Sequence, residues 1–330
     1  MNTTFILSGG AGRILTAIPA LEKYQKLNPN DDFVILVHGW DQLFWNHPTL
    51  QERVFLAELK GNFQQFIKNN KTVVPEPYQL HSYYNQQTNL VNAFDEIINN
   101  TTEHNDLNIN SIHLSRVELA RSKELIEKFK LEKKKQKVVV FQPYGSSVEI
   151  INNKPIDQSN RSLEEEHLLK IVKELSKDAV VIYASQFELK HPQDSFSVTF
   201  SNLELPYFRM LAGLIYHSDY FIGCDSVGQH VARALNKPCL VLMGGTDERN
   251  TSYPEYFTFY RRKDKLSTFI PLRLSDIDNE FANKLNDGLM SFTNKEINEI
   301  ISIVREKVLT KNNVVETNDE HSCNSYLSYK

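Results

Sequence analysis

The sequence predicts an α/β protein made of two doubly wound, Rossmann-like domains that face a central crevice. Apolar runs rich in β-branched and aromatic side chains recur at 33–37, 138–141, 180–184, 220–224 and 239–243, the pattern of parallel strands covered on both faces. Loops of small and polar residues follow these runs, and stretches of helical period lie between them, so strand and helix alternate along the chain. The 330 residues exceed one typical domain and fit two of roughly 150 each.

We expect an acceptor-side domain over residues 1–133 and a nucleotide-binding domain over 134–292. A helix at 293–310 should pack back across the junction, and 311–330 hold too few apolar residues to fold alone. The lysine run 128–137 marks the boundary, read as a solvated helix end and linker rather than a nucleic-acid patch. A net charge of −4 gives no general pull toward nucleic acid or anionic membrane. Cys224, Cys239 and Cys323 lack metal-ligand spacing and are odd in number, so no disulfide is implied and a reducing compartment fits. The N-terminus has no basic segment followed by a long apolar core, and no apolar run approaches the roughly 18 residues of a membrane span. The expectation is a cytoplasmic protein.

In the first domain, residues 5–7 form a strand and Ser8-Gly9-Gly10-Ala11-Gly12-Arg13 a loop into a helix with Ile14, Leu15, Ile18 and Leu21 on its apolar face. Gly9, Gly10 and Gly12 thus lie at the edge where such sheets hold phosphate. The loop lacks both GxGxxG spacing and a GK[ST] ending, which argues against dinucleotide and P-loop readings. After the strand at 33–37 comes His38-Gly39-Trp40-Asp41, where Asp41 is either an acceptor-side base or a helix N-cap. Residues 51–69 read as a helix, 73–74 as a short strand, 78–98 as core packing with an aromatic platform, 99–110 as a surface loop, 112–115 as a strand and 116–129 as a helix.

The second domain opens with the strand 138–141 and the loop Pro143-Tyr144-Gly145-Ser146-Ser147. A polar insertion at 152–160 precedes a helix from 161 to 175, whose Glu164–Glu166 favour its positive dipole end. Then come a strand at 180–184, a loop with Glu188, a helix at 205–215, an edge strand near the basic cluster 261–265, and a helix over 293–308 with a Thr293/Glu296 capping box. The informative stretch is 219–254: strand 220–224, turn Asp225-Ser226-Val227-Gly228-Gln229-His230, a helix stopped by Asn236-Lys237-Pro238, strand 239–243, and the loop Gly244-Gly245-Thr246-Asp247. In such a unit the turn presents helix N–H groups and a positive dipole end at the sheet's carboxyl edge, a natural phosphate site.

This D-S-x-G-x-H turn, the A-x-A-L helix, the Asn-Lys-Pro stop and the G-G-T loop resemble the nucleotide-sugar site of the lipopolysaccharide heptosyltransferase (ADP-heptose transferase) family, which are inverting GT-B glycosyltransferases. Gly12, Leu15, Pro19, Ala20 and Leu21 follow the same family's opening pattern. The resemblance implies a GT-B fold, a nucleotide-diphosphate sugar as donor substrate, a saccharide hydroxyl as acceptor, metal-independent inversion and no cofactor. It places Arg161 on the donor pyrophosphate, Glu188 on the ribose, Asp225 on sugar hydroxyls, His230 on a phosphate or sugar oxygen, and the N–H groups of Ser226, Val227 and Gly228, with Gly245 and Thr246, around the leaving group. Asp225 as an N-cap and His230 as a packed helix residue are the bland alternatives.

Two departures stand out. Val227 intervenes before the glycine, and the family's base, an aspartate just after the glycine of the first loop, falls on Arg13. The catalytic candidates on the acceptor side are therefore Arg13 and Asp41. Two further functions stay open: transfer to a hydroxymethylated nucleobase in DNA, as in phage DNA glycosyltransferases, and a sugar-nucleotide-binding module without catalysis.

Overall fold

The computed structural model describes residues 2–108, 110–145, 148–152, 154–157, 161–185, 195–198, 205–251, 253, 257–262 and 288–309. Four parallel strands, β1 (Thr3–Leu7), β2 (Val34–Val37), β3 (Val54–Leu56) and β4 (Lys71–Val73), form the first sheet in the order β3-β2-β1-β4. Helices α1 (Ala11–Leu27), α2 (His81–Tyr84) and α3 (Leu90–Asn99) accompany it, whereas α4 (Arg116–Lys133) leads out of this domain and packs against the second sheet. Ile14, Leu15, Ile18 and Leu21 of α1 are at most 2% exposed. Burial of each contributes about 1.5–3 kcal/mol, so this helix anchors the first domain.

The second sheet contains β5 (Val138–Gln142), β8 (Val180–Ala184), β9 (Ser195–Val198), β10 (Tyr220–Cys224), β11 (Cys239–Met243) and β12 (Thr258–Arg261) in the order β12-β11-β10-β5-β8-β9, all parallel. Its helices are α5 (Glu165–Leu175), α6 (Tyr207–His217), α7 (Val227–Ala234), the short α8 (Glu248–Thr251) and α9 (Asn294–Leu309). The inner strands β5, β8, β10 and β11 are buried at every position and apolar but for Gln142, because both faces are covered. Val138, Val140, Phe221 and Val241 join the core that continues into the first domain, whereas Val139, Phe141, Ile222 and Leu240 face a second core under α5 and α9.

Both sheets have a point where the strand order reverses. In the first it lies between β1 and β4, in the second between β5 and β10. Open α/β sheets bind ligands outside the carboxyl ends of the strands at such points.

Three local expectations are corrected. Residues 51–69 are not an α-helix: a 3₁₀ turn (Gln51–Arg53) leads into β3, and a π turn covers Phe63–Ile67. Val54 and Phe55 fit the open edge of β2 better than a helix, where a β-branched residue loses rotamer freedom. Residues 112–115 are no strand, because Ser115 instead caps α4 in a reciprocal box with Glu118. The polar insertion near 152 is an antiparallel hairpin of β6 (Val148–Ile151) and β7 (Lys154–Asp157). Helix α9 keeps its Thr293/Glu296 box, and among the described residues its main packing is on α5 and β10 of the second domain.

Candidate functional site: the interdomain crevice

A helix that returns antiparallel to its parallel strands starts at their carboxyl edge. The N-termini of α1 and α7 therefore lie at the carboxyl edges of the two sheets, and they touch. A Cβ on Gly12 would sit 2.7 Å from His230 Cδ2 and 3.5 Å from Val227 Cα, so only glycine permits this approach. The two carboxyl edges face each other across a crevice.

A second tie fixes the same geometry. Arg209, in the first turn of α6, is fully buried and donates from Nε and Nη2 to Glu118 of α4 at 2.6 and 2.8 Å. It also donates to Gln42 O at 3.1 Å and His113 O at 2.6 Å. Burial alone would raise the Glu118 carboxyl, but the Arg209 and Ser115 hydrogen bonds and the Arg209 charge outweigh it and hold it below the usual range. Sequence reasoning missed Arg209. Its signal was a lone cation in the apolar run YFRMLAGLIYH, since a buried charge requires a partner.

On the donor side, Asp225 is 4% exposed and accepts from Gln229 Nε2 through one oxygen and from Thr246 Oγ1 through the other. It thereby ties the β10 turn to the Gly244-Gly245-Thr246 loop after β11. Asp225 is thus no N-cap; Ser226 takes that place at α7 without a side-chain capping bond. The N–H groups of Ser226 and Val227 find no acceptor among the described residues, as expected of orphan donors at a helix start. Gly228 corrects the expectation of a third free donor: its N–H bonds Gln142 Oε1 at 3.0 Å. Its role is packing, because a Cβ there would overlap Gln142 and Phe221.

Arg161 lies on the loop beyond β5, beside Gly145, with its guanidinium close enough to Cys224 to oppose the upward push that burial gives that thiol. It belongs to the same edge as Asp225. Glu188 lies outside the described residues. His230 is buried, with Nδ1 hydrogen-bonded to Tyr253 OH at 2.9 Å. Burial pushes its imidazole down to about 4 despite the opposing pull of Asp225, so it offers a phosphate no positive charge at neutral pH.

This depressed value makes His230 an acid-sensitive element. The unfolded chain takes up the proton near the ordinary histidine pKa of about 6.5, and the folded chain only near 4. Its contribution is therefore complete above about pH 6.5 and falls by about 1.4 kcal/mol per pH unit as pH drops toward 4. Denaturant melts at pH 7.5 and pH 5 should show this loss, and His230→Gln should flatten it.

On the acceptor side, Arg13 does not face the crevice as a free cation. It donates from Nη2 to Glu76 Oε2 at 2.9 Å and to Pro75 O at 3.1 Å, and its guanidinium lies 4.7 Å from the Tyr78 ring centroid. Arg13 thus clamps the turn after β4 to the Gly9–Gly10 loop after β1, across the first sheet's switch point. Arg13 is held by contacts within its own domain, and Glu76 emerges as a carboxylate beside the glycine loop. Asp41 opens a 3₁₀ turn after β2 and accepts from Trp45 Nε1 at 3.1 Å. Its other oxygen has no hydrogen-bond partner among the described residues. Trp40, just before it, has φ +61°, a left-handed conformation that costs a bulky residue about 1–3 kcal/mol.

Beside the α1–α7 contact opens a cavity of about 390 Å³ with walls from both domains, including Thr16, Asn92, His104, Arg233 and Tyr253. Among the described residues, ligand atoms of Glu22, His47 and His113 lie within 4.8 Å of one another. His47 Nδ1 accepts the Leu50 N–H at 3.1 Å, and its Nε2 lies 3.1 Å from Glu22 Oε1. This approach joins the 41–50 loop to α1.

No family model and no curated protein matches the chain. Solved structures do. A glycosyl transferase family 9 protein from Veillonella parvula superimposes with a TM-score of 0.60 over 92% of this chain and 96% of its own, at 10% identity. The iron-containing dodecameric glycosyltransferase TibC of enterotoxigenic E. coli gives 0.55 over 92% and 76%, at 12% identity. E. coli heptosyltransferase WaaC, determined with ADP-2-deoxy-2-fluoro heptose, gives 0.51 over 93% and 100%, at 13% identity. The fold is GT-B. At these identities the likeness is one of architecture, and GT-B scaffolds carry many chemistries, so function is argued from the crevice itself. Among the described residues, no helix of this GT-B chain is long and apolar enough to cross a membrane.

Proposed function

We propose that the chain is an inverting, metal-independent glycosyltransferase that moves a sugar from a nucleotide diphosphate to a saccharide hydroxyl. The observation that carries this reading is the donor edge at the β5/β10 switch point. There the orphan N–H groups of Ser226 and Val227 start α7, Asp225 ties them to the Gly245–Thr246 loop, and Arg161 stands on the adjacent loop. Helix dipole, N–H donors and a guanidinium stabilise a departing diphosphate, the main electrostatic task of the reaction.

Asp41 is the base in this scheme. Glu76 commits one oxygen to Arg13 and the other to the Tyr78 N–H, whereas Asp41 spends only one, on an indole N–H. The acceptor O–H gives its proton to the Asp41 carboxylate, the acceptor oxygen bonds the anomeric carbon on the face opposite the diphosphate, and the bond from that carbon to phosphate oxygen breaks. Electrons leave with the nucleoside diphosphate, and no redox partner is needed. Asp41→Asn should lower kcat about 10²–10⁴-fold while donor affinity holds. Acceptor-dependent release of nucleoside diphosphate from a panel of nucleotide sugars tests the reading, and absence of release on every acceptor, hydroxymethylated DNA included, contradicts it.

A second reading has its own support. Arg13 occupies the position where the resemblance expects a base and is locked by Glu76, Pro75 and Tyr78, as a donor-binding module without catalysis would allow. Such a module binds nucleotide sugar and releases nothing.

A further inference from the structure

The chain contains two tryptophans, Trp40 and Trp45. Both leave more than a third of their surface exposed, at 37% and 39%, although burial of the indole would stabilise the fold. They flank Asp41 on the 3₁₀ turn that follows the carboxyl end of β2, so they lie on the crevice edge of the first domain. Gly39 and Trp40 are consecutive left-handed residues, with φ +64° and +61°. Glycine takes that conformation freely, but an indole there is held against its own backbone preference. The turn is also fixed from both ends: Trp45 Nε1 donates to Asp41 Oδ2, and Gln42 O accepts from buried Arg209 of the opposite domain. On the same edge, His38 and Glu58 are exposed and paired at 3.2 Å.

Strain, exposure and fixed placement of two aromatic faces around a carboxylate match one class of ligand. A pyranose ring has an apolar C–H face for an aromatic surface and a rim of hydroxyls for a carboxylate.

We propose that Trp40 and Trp45, with Asp41 between them, form the acceptor subsite, the indoles stacking on the C–H face of a neutral pyranose while Asp41 accepts from one of its hydroxyls. This rests on the glycosyl-transfer reading, since it names the acceptor class of the same crevice. It also explains why the strained Trp40 is kept: the ring is placed for the ligand and not for the core.

Because these are the chain's two tryptophans, its own fluorescence reports on the site. The full chain is titrated with methyl glycosides and short neutral oligosaccharides while tryptophan emission is read, and nucleoside diphosphate binding is measured separately by calorimetry. We expect saturable quenching or a blue shift with at least one saccharide class. Trp45→Phe should weaken saccharide binding at least tenfold and Trp40→Gly should abolish it, both with unchanged nucleotide binding. Glycine suits φ +61°, so Trp40→Gly should remain folded by circular dichroism, which separates a ligand role from a structural one. Saccharide binding by calorimetry that survives in Trp40→Gly overturns the proposal, as does a panel in which no saccharide perturbs the emission. Saccharide binding at the tryptophans without any nucleotide binding keeps the subsite and removes the transferase reading.

Discussion

Arg209→Leu should cost about 3–5 kcal/mol of stability, the penalty for breaking a buried ion pair from one side. The substitution leaves the Glu118 carboxylate and the carbonyls of Gln42 and His113 buried without their donor. Ser115 N–H, 2.7 Å from Glu118 Oε2, stays but cannot replace a guanidinium. Because the tie joins α6 to α4 and to the turn carrying Asp41, the two domains should also loosen. Denaturant unfolding of the purified variant should show a lower midpoint and a broader, less cooperative transition. Arg209→Leu combined with Glu118→Leu should recover much of the loss, since removing both charges also removes the desolvated, unpaired carboxylate. A single variant that melts like wild type would mean that the ion pair does not hold the crevice.

Asp225→Ala should strike nucleotide binding directly. It removes the acceptor of two buried hydrogen bonds, from Thr246 Oγ1 and from Gln229 Nε2, and so disconnects the loops after β10 and β11. Hydrogen bonds to a charged group contribute about 1.5–3 kcal/mol each, so the pair of loops should separate locally while the strands beneath, buried on both faces, keep the domain folded. Nucleotide-sugar affinity should fall on the order of 100-fold, equivalent to about 2.7 kcal/mol, and turnover should fall with it. Asp225→Asn, which keeps an acceptor oxygen for Thr246, should fall between. Calorimetric titration of nucleoside diphosphate into the three proteins provides the check.

These two residues differ in how visible they were from sequence. Asp225 stood at the end of a continuous apolar strand, before a small-residue turn and a helical period, a pattern that also fixed β10, α7 and β11. Strands buried on both faces advertise themselves as continuous apolar runs, as in 138–141 and Val180–Ala184. The edge of the first sheet did not. β3 is a strand of three residues with none fully buried, and its Val54 and Phe55 fall equally well on a helical period that runs on to Phe63 and Phe66. The hairpin β6–β7 pairs only with itself and reads as polar loop for the same reason.

Side-chain assignments failed where partners are distant in sequence. Arg13 was legible as an anomaly but not as the partner of Glu76, 63 positions away, and Gln142 could not be seen to take the Gly228 N–H, 86 positions away. His230 packs against Gly12 as a neutral ring and also lines the cavity beside the α1–α7 contact, a placement its spacing in the turn did not reveal. The carboxyl edge at the β5/β10 switch point was legible, and the contacts among its residues were not.

The central claim is that a nucleotide diphosphate sits on the α7 N-terminus, between the two carboxyl edges. Amide hydrogen exchange of the full chain, with and without saturating nucleotide sugar, tests it most directly. The account predicts slower exchange at residues 225–228 and 244–247, together with 9–13 on the facing loop. Protection confined to other segments, or none in the presence of a donor that binds, would contradict it.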